Sequence, residues 1–464
     1  MGPYPKTCRD RYSYMRVPSC YRIPIMWPFS RNAKVRKSSA PILFTNTLSG
    51  RKEPFAPLKA GQATLYSCGP TVYSQAHIGN LRAYIFADLV ARVLADAGYR
   101  LRRVINITDV GHLVSDADEG EDKIEKSARE AGARASDIAE RYTKLFLEDI
   151  QALNLDTDRI LFPRATAYIR EQIALIKILE QKGFTYRIRD GIYFDTEKFP
   201  GYGKLGGIPK ELVKEGSADS LPDRVALAGH GRIPGNAEKR SPADFALWKF
   251  SAPGEKRQQE WSSPWGRGFP GWHIECSAMA KALLGETIDM HTGGIDHIPI
   301  HHNNEIAQSE AANGKAFVRY FIHGAFLNLE GERFAKSENR VVYLSDITAR
   351  GIHPLALRYL FLQAHYRSPL SFSWESLEAA NEALMRLWRH ARELKDESKG
   401  VSVSSEVSDR MTTLLRDDLA TPAALALLWE TVRDDAIPAK EAWGVIEAAD
   451  AILGLSLTEP PADG

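Results

Sequence analysis

The residues best suited to chemistry are two of the chain's four cysteines and a histidine-rich run near position 300. Gly271-Trp-His-Ile-Glu-Cys276 is followed by Gly293-Gly-Ile-Asp296 and then by His301-His-Asn-Asn-Glu305. His301 and Glu305 stand four apart on a predicted helix, so both project from one face. Together with the thiolates of Cys68 and Cys276 they make up a set of S, N and O donors that zinc accepts in tetrahedral geometry. The spacing is not that of a structural zinc finger. Donors at 68, 276, 301 and 305 have to be brought together by the fold, which points to a metal built into a pocket. By residue type alone, His273, His291, His297 and His302 are either alternative ligands or packed, hydrogen-bonded rings. No two cysteines form a CxxC pair, which argues against a zinc ribbon or a thioredoxin-type motif. An isolated thiol is ordinarily a small buried apolar side chain. It is the company of His301 and Glu305 that raises Cys276 above that reading.

A second constellation suits phosphate. Cys68-Gly-Pro-Thr-Val-Tyr-Ser-Gln-Ala-His77-Ile-Gly-Asn80 covers the passage from a predicted strand into a predicted helix. Backbone N–H groups at a helix N-terminus favour anions, and Gly79 lets a ligand approach the backbone closely. His77 and Asn80 share one side of the junction. Much later comes Arg333-Phe-Ala-Lys336-Ser337, a basic loop of the kind that neutralises charge on a leaving pyrophosphate. Taken singly, the tetrad is a weak signal and the loop is solvated surface.

The elements that must position these groups form an α/β pattern. Ala63 to Cys68 reads as a strand closed by a Gly-Pro turn, Leu81 to Leu94 as a helix, and Arg102 to Ile107 as a second strand. This is a βαβ unit. Amphipathic helices are predicted over Lys123 to Leu155 and Ala165 to Gln181, and a Gly-, Pro- and charge-rich insertion over 186–240. Strands at Ile288 to Met290, Phe317 to Ile322 and Ala325 to Leu327 flank a helix from His302 to Ala312. After Asp346 the pattern is helical, through Leu355 to Ala364, Leu377 to Lys395 and Asp409 to Val432.

With 464 residues, 44% hydrophobic and 26% charged, the chain has room for two to four domains. No run approaches the ~20 apolar residues of a membrane helix. Sixty basic and 59 acidic residues leave a net charge of +1, so a nucleic-acid partner has to be held by local patches. Residues 1–40 hold nine Lys/Arg and one acid, Asp10, in the manner of a transit peptide or of a late true start codon.

In order, the tetrad and the basic loop resemble the HIGH and KMSKS signatures of class I aminoacyl-tRNA synthetases. Over roughly residues 41 to 453 the chain resembles the cysteinyl-tRNA synthetase family. The resemblance is carried by Asn46-Thr-Leu, Cys68-Gly-Pro-Thr-Val-Tyr, Asn106-Ile-Thr-Asp109, Arg164-Ala-Thr, Asp244-Phe-Ala-Leu-Trp-Lys249, Ser263-Pro-Trp-Gly266, Gly271-Trp-His-Ile-Glu-Cys-Ser-Ala-Met279, His302-Asn-Asn-Glu-Ile-Ala-Gln308 and His365-Tyr-Arg-Ser368.

That resemblance implies an α/β fold, with a Rossmann-type parallel-sheet catalytic domain, an inserted connective subdomain and a C-terminal α-helical bundle. The expected divisions are a basic extension over 1–40, a catalytic domain over 41–335 with its insertion at about 151–240, a loop and stem-contact region over 336–375, and the bundle over 376–464. The implied reaction joins L-cysteine to ATP and passes it to tRNA(Cys). Zinc on Cys68, Cys276, His301 and Glu305 would select the thiolate over serine's hydroxyl, and Mg2+ would accompany ATP. The amino-acid pocket falls on Thr108, Trp272 and Asp296. ATP falls on His77, Gly79, Asn80, Gly293, Gly294, Arg333, Lys336 and Ser337, with His77, Asn80 and Lys336 catalytic. A monomeric, cytoplasmic enzyme without membrane contact is expected, and organellar import through the basic extension is compatible with it.

Three features depart from the family pattern. Asn80 replaces a histidine, Asn339-Arg340 follows the Lys-Ser pair, and the chain ends soon after Leu453, where an anticodon-binding domain is expected in relatives. Residues 400–464, with twelve acids and four bases, suit a phosphate backbone poorly. Two rival readings carry over: a cysteine ligase of mycothiol synthesis with an amino-sugar acceptor, whose first motif typically has Thr-Pro-Tyr where this chain has Thr71-Val-Tyr73, and an impaired paralogue acting as a binding protein.

Overall fold

The structure, a computed structural model, describes residues 40–111, 122–207, 238–252, 254, 257–329 and 341–461. Five strands make one wholly parallel sheet: β1 (Gln62–Ser67), β2 (Arg100–Ile105), β3 (Ile160–Leu161), β4 (Ile288–Gly294) and β5 (Val318–Gly324). Their order is β5-β4-β1-β2-β3. The chain therefore works outward from β1 on one side and returns to build the other side from β4. This doubly wound order leaves a crevice beyond the carboxyl ends of β1 and β4, where such sheets bind ligands. The near-continuous burial of β4 is what helices on both faces of a parallel sheet require.

Helix α1 (Ile78–Asp96) joins β1 to β2 and buries Leu81, Ile85 and Leu89 at helical spacing. The helix expected over Lys123 to Leu155 is instead two, Lys123–Glu130 and Ala135–Ala152. They part at Gly132, whose φ of +60° a right-handed helix does not accommodate.

The inserted region contains a five-stranded antiparallel sheet: Thr185–Ile188, Gly191–Phe194, Phe245–Phe250, Trp261–Ser263 and Gly266–Pro270. Phe245–Phe250 pairs with both Gly191–Phe194 and Gly266–Pro270, so this sheet runs past the expected end of the insertion near 240. Two further helices, α2 (Trp272–Leu283) and α3 (Asn303–Asn313), return the chain to the parallel sheet around β4.

The C-terminal region is helical: Pro354–Leu362, Trp374–Ser398, Glu406–Arg416, Thr421–Arg433 and Ala439–Leu453. The single helix expected over Asp409 to Val432 breaks at Asp418 and Leu419, which adopt φ of +54° and +55°. The turn lets the Asp418 carboxylate accept from Thr45 N (2.8 Å), Thr45 Oγ1 (2.6 Å) and the Tyr366 hydroxyl (2.6 Å). A second anchor is Arg358, fully buried. It donates to the Leu453 and Leu153 carbonyls at 2.6 and 2.9 Å and to Asp88 of α1 at 2.9 Å. Against its burial, Arg92, Arg358 and Arg103 hold the Asp88 carboxyl well below the usual carboxylate range. Bundle and sheet thus share one core. No helix among the described residues is long and apolar enough to cross a membrane.

Candidate active site and metal centre

A cleft of 440 Å³ opens at the carboxyl ends of β1 and β4. Its walls include Cys68, His77, Gly79 and Asn80 from the β1–α1 junction, and Trp272, Gly293, Gly294 and Asp296 from the later half of the sheet. His77 caps α1. Its Nδ1 accepts from the Asn80 N–H at 3.2 Å, and Asn80 Oδ1 accepts from the His77 N–H at 3.1 Å. This reciprocal pair satisfies two N-terminal backbone donors and fixes both side chains at the mouth of the helix. Burial lowers the pKa of His77, favouring its neutral form. The Ile78 N–H donates to the Val342 carbonyl at 3.0 Å, so the chain just after the basic loop is bound to the tetrad. Arg333, Lys336 and Ser337 themselves lie outside the described residues, as does the Asn339-Arg340 pair.

Below the cleft the donors converge. Ligand atoms of Cys68, Cys276, His301 and Glu305 all lie within 4.8 Å of one another, and so do those of Cys68, His291, His302 and Glu305. The second set contains two of the histidines left open by residue type. The sets share Cys68 and Glu305, and are therefore alternatives for one ion. His301 Nε2 is 2.8 Å from Glu305 Oε1, and His291 Nε2 is 2.9 Å from Glu305 Oε2. Each ring next to a sulfur is supported from behind. His301 Nδ1 meets His273 Nδ1 at 2.9 Å, and His302 Nδ1 meets His323 Nε2 at 2.8 Å. Cys68 Sγ is 3.4 Å from His302 Nε2 and 3.7 Å from Glu305 Oε1.

The charges follow from this crowding. The hydrogen bond from Cys68 pushes the Cys276 thiol down to about 7 despite burial, while burial drives Cys68 well up. Cys276 is thus the readier of the two sulfurs to ionise. Burial alone would depress His301, but Glu305 and Cys276 outweigh it and raise it to about 10. A proton on His301 therefore stands where the surrounding donors would share a cation. His302 and His323, buried beside other imidazoles, are driven toward the neutral form.

The sequence profile described as the catalytic domain of class I (C) tRNA synthetases matches residues 54–382. The chain belongs to the class I cysteine-tRNA ligase family. It is 49% identical over 420 residues to cysteine-tRNA ligase 1 of Burkholderia lata, covering 90% of this chain and 85% of that one. The cysteine-tRNA ligase of Treponema denticola is 42% identical, with 89% of this chain and 86% of the relative covered. At the level of fold, methionyl-tRNA synthetase of Mycobacterium tuberculosis superposes with a TM-score of 0.57 at 15% identity, over 86% of this chain and 92% of that one.

Within this cysteine-tRNA ligase fold, Trp272 stacks obliquely on His301 with centroids 4.5 Å apart, linking the cleft to the donors beneath. Asp296 reaches the cleft wall, its side chain 41% exposed. Thr108, expected in the amino-acid pocket, is buried and does not line the cleft. Its hydroxyl donates to Glu275 Oε2 at 3.3 Å and accepts from Asn106 Nδ2 at 3.0 Å. Gly293 and Gly294 line the cleft, but a Cβ on Gly293 would sit 2.7 Å from the rings of both His297 and His302, so this glycine makes room for imidazoles. Two participants escaped the sequence reading. Asn106 Oδ1 accepts from the Gly69 N–H at 2.8 Å and from the Cys276 thiol at 3.8 Å, tying the end of β2 to the centre. Tyr66 is buried beside it, and strand alternation from Cys68 was the available signal.

Proposed function

We propose that this chain activates L-cysteine with ATP to cysteinyl-adenylate and transfers it to the 3′ end of tRNA(Cys), as a monomeric cytoplasmic enzyme. The observation that carries the reading is the convergence of two thiols, an imidazole and a carboxylate directly beneath a cleft mouthed by the tetrad at the N-terminus of α1.

Of the two donor sets, Cys68, Cys276, His301 and Glu305 suits zinc better, because two sulfurs make it the softer. Zinc held there would supply a Lewis acid that takes a thiolate readily and a hydroxyl poorly. Such a device discriminates where shape cannot, since a pocket of ordinary contacts separates near-isosteres by only ~10–200-fold. The chain's own residues do the rest. Asp296 and Trp272 orient the amino acid above the donors, with the Asp296 carboxylate as partner for its ammonium. His77 and Asn80 receive the ATP phosphates at the helix N-terminus, where the backbone dipole favours negative charge. Lys336, assigned from the sequence together with Arg333 and Ser337, neutralises the departing pyrophosphate. Mg2+ accompanies the nucleotide. Catalysis is then mostly positioning and charge, as expected for attack of a carboxylate on a phosphorus.

The test is charging. Purified protein given labelled cysteine, ATP and total tRNA should form acid-precipitable cysteinyl-tRNA. Transfer to an amino sugar with no tRNA charging would overturn the proposal.

A further inference from the structure

Tyr66 sits on β1 two residues before Cys68, so both side chains emerge on the same face of the sheet. In register beside it on β4 is His291, whose ring packs edge-on against the phenol at 5.2 Å and whose Nε2 binds Glu305. The phenol is fully buried, and although Cys276 lies next to it, its hydroxyl makes no hydrogen bond of normal geometry among the described residues. The ionisable groups facing it are Cys276, Cys68 and Glu305. An unpaired buried hydroxyl costs about 1–3 kcal/mol and calls for an explanation, and a bound ion that changes the groups around it supplies one. With a cation among the donors, both sulfurs become thiolates, which accept hydrogen bonds and cannot donate them.

We propose that Tyr66 is a positioning residue for the metal centre, donating an O–H···S hydrogen bond to the Cys276 thiolate once the site is loaded. The bond draws charge off that sulfur. The ion is then left more electrophilic toward one further thiolate, that of the substrate, and the ligand is held in place. This inference rests on the metal-dependent activation of cysteine proposed above, and deepens it by naming a residue outside the donor set that sets the strength of thiolate capture.

The experiment compares the full-length protein with Tyr66→Phe and with Ser67→Ala. Ser67 is a control on the same strand; its hydroxyl pairs with Thr292 Oγ1 at 2.7 Å on the opposite face. Each protein is loaded with Co2+ for its thiolate-to-metal absorption band and with Zn2+ for release to a chromophoric chelator. Tyr66→Phe should shift the band to the red and speed zinc release about 10-fold or more, the usual scale for losing a supporting hydrogen bond behind a ligand. Cysteine kcat/KM should fall while the KM for ATP stays unchanged, and Ser67→Ala should match the parent throughout. Without metal, Tyr66→Phe should melt no lower than the parent, since the hydroxyl it removes is unpaired there. An unchanged band and release rate, or a metal-free Tyr66→Phe that fails to fold, would overturn the role of Tyr66 and leave the cysteine reading standing. A parent protein that takes up neither metal would bring down both.

Discussion

Replacing Gly293 by alanine separates two roles that its position at the cleft allows. The added methyl would lie 2.7 Å from His297 Nδ1 and 2.7 Å from His302 Cε1, where ordinary contact begins near 3.4 Å, so the rings must withdraw by about 0.7 Å. His302 has little freedom to do so. Its Nδ1 is held by His323 at 2.8 Å, and its ring packs against His291 at 4.3 Å and Phe321 at 5.3 Å. Overpacking of this kind costs about 1–3 kcal/mol. The functional consequence should fall on the donors. Cys68 Sγ lies 3.4 Å from His302, and His301 is the next residue, so the displacement is passed to two of the proposed ligands. A misplacement near 1 Å is enough to cost up to about 100-fold in rate. Because the methyl meets two imidazoles beside the donors, the KM for ATP should stay within about twofold while cysteine kcat/KM falls 10-fold or more. Pyrophosphate exchange at varied cysteine and varied ATP reads both, and a chelator assay reads zinc retention. Normal zinc retention and cysteine kinetics with a raised KM for ATP would refute this reasoning and return Gly293 to the nucleotide.

Two further outcomes follow from buried charge. Arg358→Met removes the donor that joins the bundle to α1; Asp88 keeps Arg92 at 2.7 Å and Arg103 at 2.9 Å, so the loss should sit at the lower end for a broken buried pair, about 3 kcal/mol in a urea melt, and a loss under about 1 kcal/mol would contradict the anchoring role. Asp149 is raised to about 6, chiefly by burial, and its Oδ2 has no hydrogen-bond partner among the described residues. Its charged form therefore opposes folding. Parent stability should decline as pH rises from about 4 through 6, and Asp149→Asn should remove that decline and gain about 1–2 kcal/mol above pH 6, with the two proteins converging below pH 4. Parallel stability curves across that range would contradict the assignment.

Where contacts are local, the sequence announces the fold. The β1–α1–β2 unit was legible because an apolar run, a Gly-Pro turn and a 3.6-residue period follow one another within some forty residues. The breaks at Gly132 and Asp418 were not. Glycine is tolerated in many helices, and the left-handed turn at Asp418 is fixed by Thr45 and Tyr366, far away in the chain. The antiparallel sheet of the insertion was hidden by its glycines, prolines and charges, which suit edge strands and tight turns as well as loops. At the site, residue types suggested the donors, but six of the twelve histidines crowd between 273 and 323, and only the fold distinguishes which rings reach the sulfurs. The inward turn of Thr108 toward Glu275 has no sequence signature at all, because a threonine after a strand can face either way.

Zinc-dependent selection of cysteine is read most directly from cysteine-dependent ATP–pyrophosphate exchange, measured on zinc-loaded protein, on protein stripped by chelation, and on Cys276→Ser. Loaded protein should show robust exchange with cysteine and very little with serine, loss of cysteine exchange on stripping, recovery when zinc is restored, and no recovery in Cys276→Ser. Undiminished, cysteine-selective exchange by the fully stripped protein would rule out selection by zinc at these donors.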